Sequence, residues 1–440
     1  MSSSPSKPLP LSDPSEVPKT ELDPPKEGNP TAWLTIAGSA AALFASFGWV
    51  NCIGVFQAEY ENNQLREYSS SQISWITSME CRSPQTLGVA LTLDSRRSFT
   101  VFFMMFPSAV TGKLFDSYGP RVPIAMGTLV HTFGLMMASI SHKYYQFMLS
   151  QSVCSGLGCA LIFTPAMAAP YTWFRRRKAI ASGLTVAGSS IGGVVFPLMV
   201  QHLIPRVGFG WTMRICAFLV LAMLIFAVLT VSSRIEHRPT PMKIVDYVKP
   251  LAELDFCILC AACFFLYWGM FVPFNYISVV AMRHGMSHSL ALSLIPILNG
   301  ASFLGRTVPN YFADRCGAFN VMIVMTLFTA IIVLALLLPA SGNAAFLTFT
   351  ALFGVGSGAT VGLGPVLIAI LSPIREVGLR MGTTLAIGAV GGLTSPPIAG
   401  AIAAREEGDF TYAYGITVPP HKLQPEIWTD QQVTHHTWKS

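Results

Sequence analysis

Arg306 is the one charged residue in "ALSLIPILNGASFLGRTVPNYFA" (291–313). A charge at the centre of a bilayer costs about 2.5–3.5 kcal/mol on insertion scales and marks a functional position by default. The planar guanidinium pairs with carboxylates at two points, so anion binding is the chemistry this residue offers. The other reading puts Arg306 near a helix end, with its head group reaching water. Other polar side chains sit at comparable depth in apolar runs: Asn51, Gln151 and Asn299. The run "FFLYWGMFVPFNY" (264–276) adds Tyr267, Asn275 and Tyr276, with Gly269 and Pro273 to permit a bend. Cavity lining and plain aromatic packing both fit these tyrosines. His131 reads either as an interior histidine held by its neighbours or as a proton relay.

Two patterns resemble catalytic or metal motifs and fit neither chemistry. "GSSIG" (188–192) has the GxSxG spacing, but that elbow needs a preceding strand, and here it lies within an apolar run. Cys257, Cys260 and Cys263 have CxxCxxC spacing with no His or carboxylate between them, and small apolar packing explains them. No metal, cofactor or enzyme activity is implied.

The elements that carry these residues follow from composition. Of 440 residues, 52% are hydrophobic and 11% charged, against about 25% charged in soluble domains. So few charges cannot cover a soluble protein of this length, and lipid is the expected outer solvent. Apolar runs fall at 32–56, 75–115 (interrupted), 122–141, 146–168, 179–200, 211–233, 256–277, 289–311, 320–340, 344–371 and 381–404. In lipid each must satisfy its own backbone, so each is expected as a helix. With the N-terminus inside, the short inner loops hold most of the loop cations, including Lys113, Arg121, the "RRRK" run 175–178, Arg315 and Arg380. The positive-inside rule then gives a cytosolic N-terminus. The net charge of +6 lies in such loops and calls for no nucleic acid.

The chain repeats itself. "GLGCALIFTP" (156–165) matches "GSGATVGLGP" (356–365), and "SGLTVAGSSIGGVVFP" (182–197) matches "MGTTLAIGAVGGLTSP" (381–396). "GKLFDSYG" (112–119) matches "NYFADRCG" (310–317) through Asp116 and Asp314, again about 200 residues apart. Parallel six-helix repeats are a transporter signature. Gly48 and Gly269 pair at an offset about 20 residues longer, which places an insertion between the first run and Asp116. The stretch 81–100, with Arg82, Asp94, Arg96 and Arg97, has that length. A retained intron, or a loop splitting the second helix, accounts for it. The partner of the sixth run should lie near 410–432, where "FTYAYGITVPPHKLQPEIWTDQQ" is polar and proline-rich, so helix twelve is expected to be missing.

The expected organisation is a disordered cytosolic tail (1–31), a first bundle (32–233, with 81–100 inserted) and a connecting loop (234–252). A second bundle (253–404) and a polar tail (405–440) follow.

Three stretches carry a family resemblance. "GKLFDSYGPR" (112–121) resembles the loop between helices two and three of the major facilitator superfamily. "WFRRRKAIASGLTVAGSSIGG" (173–193) resembles the helix-five signature of its monocarboxylate-transporter branch, in a fungal form. "EGNPTAW" (27–33) loosely resembles the acidic-Gly motif before helix one. The resemblance implies an all-α membrane protein of two six-helix bundles that rock about a central cavity. It implies transport of a small monocarboxylate-like solute, alone or in symport with a proton, across the plasma membrane. Export of a secondary metabolite, or uptake of a vitamin-like aromatic, is the alternative. A sensor that binds without carrying, and a defective splice product, are others. Gly112, Asp116, Gly119, Arg121, Asp314, Arg315, Gly183, Gly188 and Pro197 are the expected conformational residues. Asp116 is expected to act on a helix dipole and on Arg121 as an inner-face latch. Arg306 matches the arginine taken to meet substrate. Ser302 and Asn51 stand where the branch has its acidic partner and its lysine, which puts proton coupling in doubt.

Overall fold

The computed structural model describes residues 28–51, 101–340 and 342–405. The stretch 81–100, the long N-terminal tail and the position of a twelfth helix lie outside the described residues. Within them the chain is helical, without strands.

Eleven helices follow the apolar runs. They are α1 (Pro30–Val50), α2 (residues 101–118, regular over Ser108–Tyr118), α3 (Arg121–Ser139) and α4 (Tyr145–Thr172). A single run Lys178–Thr230 is broken at Gly208, whose φ of 77° is non-helical, giving limbs α5 (178–207) and α6 (209–230). Then come α7 (Leu254–Arg283), α8 (His288–Cys316), α9 (Ala318–Leu337), α10 (Asn343–Ile370) and α11 (Val377–Arg405). Among the described residues, eight segments, with Lys178–Thr230 taken as one, are long and apolar enough to cross a membrane by length and composition.

Local chemistry sets the ends. The Asn29 side chain accepts a hydrogen bond from the Thr31 amide at 3.2 Å, with Pro30 opening α1. Repeat-related glycines end α2 and α8, Gly119 at φ 78° and Gly317 at φ 90°, a conformation that carries little cost only without a Cβ. Inside the helices, hydroxyls bond back to the previous turn. Ser357 donates to the Phe353 carbonyl at 2.7 Å and Thr384 to the Arg380 carbonyl at 2.9 Å. Such groups have no water to turn to in an apolar interior.

Helices α1 to α6 pack mainly among themselves, as do α7 to α11. Two main contacts cross between the sets, α2 against α11 and α5 against α8, with smaller ones between α5 and α10 and between α4 and α11. The two main contacts are equivalent under the repeat. The "GSSIG" glycines are notches within this packing. A Cβ on Gly188 would strike the Ala40 carbonyl of α1, and one on Gly192 would meet the Phe44 carbonyl. Pro197 is buried within α5.

Candidate functional site

The two main crossing contacts are sealed at the end that carries the "RRRK" run, here the basic end. Asp116, near the end of α2, accepts hydrogen bonds from the Gly378 and Leu379 amides at 2.9 and 2.7 Å. These amides open α11. Asp314, near the end of α8, accepts from the Ala179 and Ile180 amides at 2.8 and 2.9 Å, which open α5. Each aspartate thus caps the N-terminus of a helix in the opposite set. There the free N–H groups and the helix dipole both favour an anion. The repeat that relates Asp116 to Asp314 also relates the amides they hold.

The same contacts need small residues. A Cβ on Gly112 would strike the Gly378 carbonyl, one on Gly382 the Ser108 carbonyl, and one on Gly183 the Arg306 carbonyl. Lys178 adds a bond from Nζ to the Ala369 carbonyl at 3.0 Å. Lys113 pairs with Asp246 of the connecting segment at 3.2 Å.

Three expectations need correcting here. Arg121 does not pair with Asp116: its Nε donates to the Val231 carbonyl at 3.3 Å, while both Asp116 oxygens are held by amides. Arg315 stays exposed, bonded to the Tyr311 hydroxyl and stacked over that ring, so it ties α8 to itself. Arg380 is no solvated loop cation. It is 4% exposed and makes two 2.6 Å bonds to the Glu253 carboxylate. Gly119 turns the chain beneath His237, whose Nδ1 donates to the Asp116 carbonyl at 3.0 Å.

Above these contacts lies a narrow, mostly apolar cavity between the sets. Phe47, Phe163, Met105 and Met167 come from the first set, and Met270, Phe271 and Phe274 from α7. Its polar lining comprises Asn51, Tyr267, Asn275, Ser302, Ser357 and Arg306. Arg306 is 4% exposed. One terminal nitrogen donates to the Val186 carbonyl at 3.0 Å and to the Ser189 hydroxyl at 2.6 Å, both on α5. Its Nε is buried without a partner, and no carboxylate among the described residues pairs with it. Asn51 ends α1, and its amide donates to the Phe47 carbonyl at 3.1 Å. Asn275 is buried with neither amide atom bonded.

Three predicted pathway residues lie elsewhere. Tyr276 is fully buried in the hydrophobic cluster of α7 to α10, on the far side of α7 from the cavity. Gln151 is buried in the π-helical turn Met148–Cys154 of α4. Asn299 donates to the Ile295 carbonyl at 3.0 Å and wedges against Gly193, filling the α5–α8 contact. Residue type named these side chains, whereas helix rotation decides which face the cavity. Lipid and neighbouring helices are equally apolar, so periodicity does not report that rotation.

His131 is fully buried. Its Nε2 lies 3.3 Å from the Ala45 carbonyl and its Nδ1 2.9 Å from the Ser155 hydroxyl. A carbonyl only accepts, so Nε2 carries the proton and Nδ1 accepts from Ser155. The ring is a clamp joining α1, α3 and α4. The partners missed in the sequence are Val186, Ser189 and Asn310, whose amide bonds the Arg306 carbonyl at 2.7 Å. The repeat offset could have found the capped amides, since it maps Ala179 and Ile180 onto Gly378 and Leu379.

Comparison with known proteins agrees with this architecture. Residues 36–310 match the sequence model of the Major Facilitator Superfamily. The MFS-type transporter opdF of Penicillium oxalicum is 61% identical over 397 residues, spanning 90% of this chain and 89% of that protein. The fujikurins efflux protein of Gibberella fujikuroi is 38% identical over 389 residues, spanning 88% and 79%. The human organic anion transporter MFSD10 (TETRAN) superposes with a TM-score of 0.70 at 14% identity, covering 89% of this chain and 98% of that one. Identity that low speaks for the fold alone. The narrower monocarboxylate branch expected from the helix-five stretch finds no support in these relatives, which are named as fungal transporters and an efflux protein. Fold, membrane-spanning composition and sequence similarity agree: the chain is a member of the major facilitator superfamily.

Proposed function

We propose that this chain exports an amphipathic organic acid, a secondary metabolite, by alternating access across the plasma membrane, with the basic end in the cytosol. One observation carries the reading. Arg306 stands on the wall of an apolar, Met- and Phe-lined cavity with a buried, unpartnered Nε and, among the described residues, no carboxylate to neutralise it. An anionic group on the solute would complete that guanidinium, and an apolar body would fill the rest. A small monocarboxylate would leave the aromatic and methionine walls unused. The efflux role carried in the name of a relative at 38% identity points the same way.

The latch fits the cycle. Each aspartate–helix contact is worth about 0.3–1 kcal/mol, up to about 2 when partly buried. Two such contacts hold the basic end closed, yet solute binding can outweigh them. Arg306 also bonds α5 across the α5–α8 contact, so a solute that draws on the guanidinium acts directly on a bond between the two sets. Asn51 and Ser302 do not titrate, so any proton that travels with the solute is held elsewhere or on the solute.

The test is efflux of 1-naphthoate and of neutral 1-naphthalenemethanol from proteoliposomes holding the full chain. Arg306→Gln should lower naphthoate efflux at least tenfold, and Arg306→Lys should retain part of it. Naphthoate efflux unchanged in Arg306→Gln rejects the reading.

A further inference from the structure

Asn275 is the second unsatisfied polar group on the cavity wall. It sits in α7, 6% exposed, and both Oδ1 and Nδ2 are buried without a partner. Leaving a buried donor or acceptor unmade costs about 1–3 kcal/mol. A leucine has the same branched outline, though it is larger, and carries no such cost. Asn51, the other asparagine on the wall, bonds its own helix. Asn275 does not, although it follows Pro273, where α7 lacks one backbone donor.

We propose that Asn275 is a specificity residue of the cavity: its unpaired amide reads an adjacent donor and acceptor on the solute, while Arg306 holds the solute's acidic group. The solute class is thereby narrowed to an apolar acid bearing a lactam-like N–H and C=O edge, or an equivalent hydroxyl–carbonyl pair. An amide side chain offers one donor face and one acceptor face on a single plane, and a lactam presents the complement. The assignment rests on the export reading above and adds a second recognition point to it.

Two probes separate the two ideas: 2-oxo-1,2-dihydroquinoline-4-carboxylate, which has the lactam edge, and its N-methyl derivative, which lacks the donor. Both keep the carboxylate and the aromatic body. With the full chain in proteoliposomes, the expected result is about tenfold higher kcat/KM for the lactam. A site built to bond a donor discriminates against the analogue that lacks it. Asn275→Leu should bring that ratio close to one, and Asn275→Ser should leave it intermediate. Without solute, Asn275→Leu should raise Tm by about 2–4 °C, because the orphaned amide is gone. Equal handling of the two probes by the natural chain, a preference that survives in Asn275→Leu, or a lower Tm in that variant each overturns the Asn275 assignment while acid export stands. Neither probe crossing the membrane nor raising Tm on binding sinks the export reading and this assignment together.

Discussion

His131 shows how a single buried side chain can be read from its partners. Ala45 offers only a carbonyl, so the imidazole proton sits on Nε2, and Ser155 donates to the other nitrogen. The bond reaches α1 at Ala45, where the regular helix gives way at Ser46. A ring placed there fixes the angle between α1, α3 and α4 rather than moving protons. His131→Leu leaves the Ala45 carbonyl and the Ser155 hydroxyl without a partner, and should lower stability by about 1–3 kcal/mol. The readout is thermal unfolding of the purified protein. An unchanged Tm would show that the clamp contributes nothing. Arg306 makes a different point at the same scale. Its repeat equivalent is Ser108, whose hydroxyl merely bonds the Met104 carbonyl at 3.1 Å. Two nearly equivalent interfaces thus differ by one guanidinium at the cavity, and that difference gives the cavity its one cation among the described residues.

Among the elements, the two capped helices follow from the repeat. Asp116, held by the first amides of α11, and Asp314, held by those of α5, make the same pair of amide bonds, so neutralising either should have a similar effect. Asp116→Asn and Asp314→Asn each remove the charge and one acceptor. Each should favour opening of the basic end by about 2–10-fold, from a dipole contribution of about 0.3–1 kcal/mol or somewhat more. Spin-label distances between the tips of α2 and α11 measure that population, and the double variant should exceed either single one. Gly112→Val tests the same seam sterically. Its side chain would occupy the space of the Gly378 carbonyl, so the basic end should fail to close and the closed-state distance should disappear. These elements were legible because charge and glycine at fixed spacing are loud signals in an apolar chain. The helices themselves were legible because apolar runs of that length have no other stable form in lipid. What the residues could not show was rotation. Asn275 and Tyr276 are neighbours of similar polarity, yet one lies at the cavity wall and the other is sealed in a core. Arg380, counted among loop cations, turned inward because Glu253 was waiting at the start of α7. That is a tertiary pairing with no trace in the local sequence.

For the whole molecule, the question is what holds the connecting segment and the second set in place while the seams open and close. Lys113 on α2 bonds Asp246 of that segment, and Glu253, just before α7, bonds Arg380 of α11. The second pair docks α7 and α11 together beside the Asp116 seam, with Arg380 lying over the Phe256 ring at 5.1 Å. The hydrogen bonds from Arg380 hold the Glu253 carboxyl below its ordinary value of 4.5. A carboxyl whose pKa is depressed on folding stabilises the folded state fully above its unfolded pKa. That contribution is lost as pH falls through the folded one. The natural chain should therefore exceed Glu253→Gln in Tm by a constant margin from pH 7 down to about pH 5. The margin should then shrink as the pH drops below about 4.5. Because Glu253 is exposed to solvent, added salt should reduce the same margin at neutral pH. A margin that ignores both acid and salt would mean that the pair acts through packing of the Arg380 stem on Phe256, and that charge has no part in docking α7 to α11.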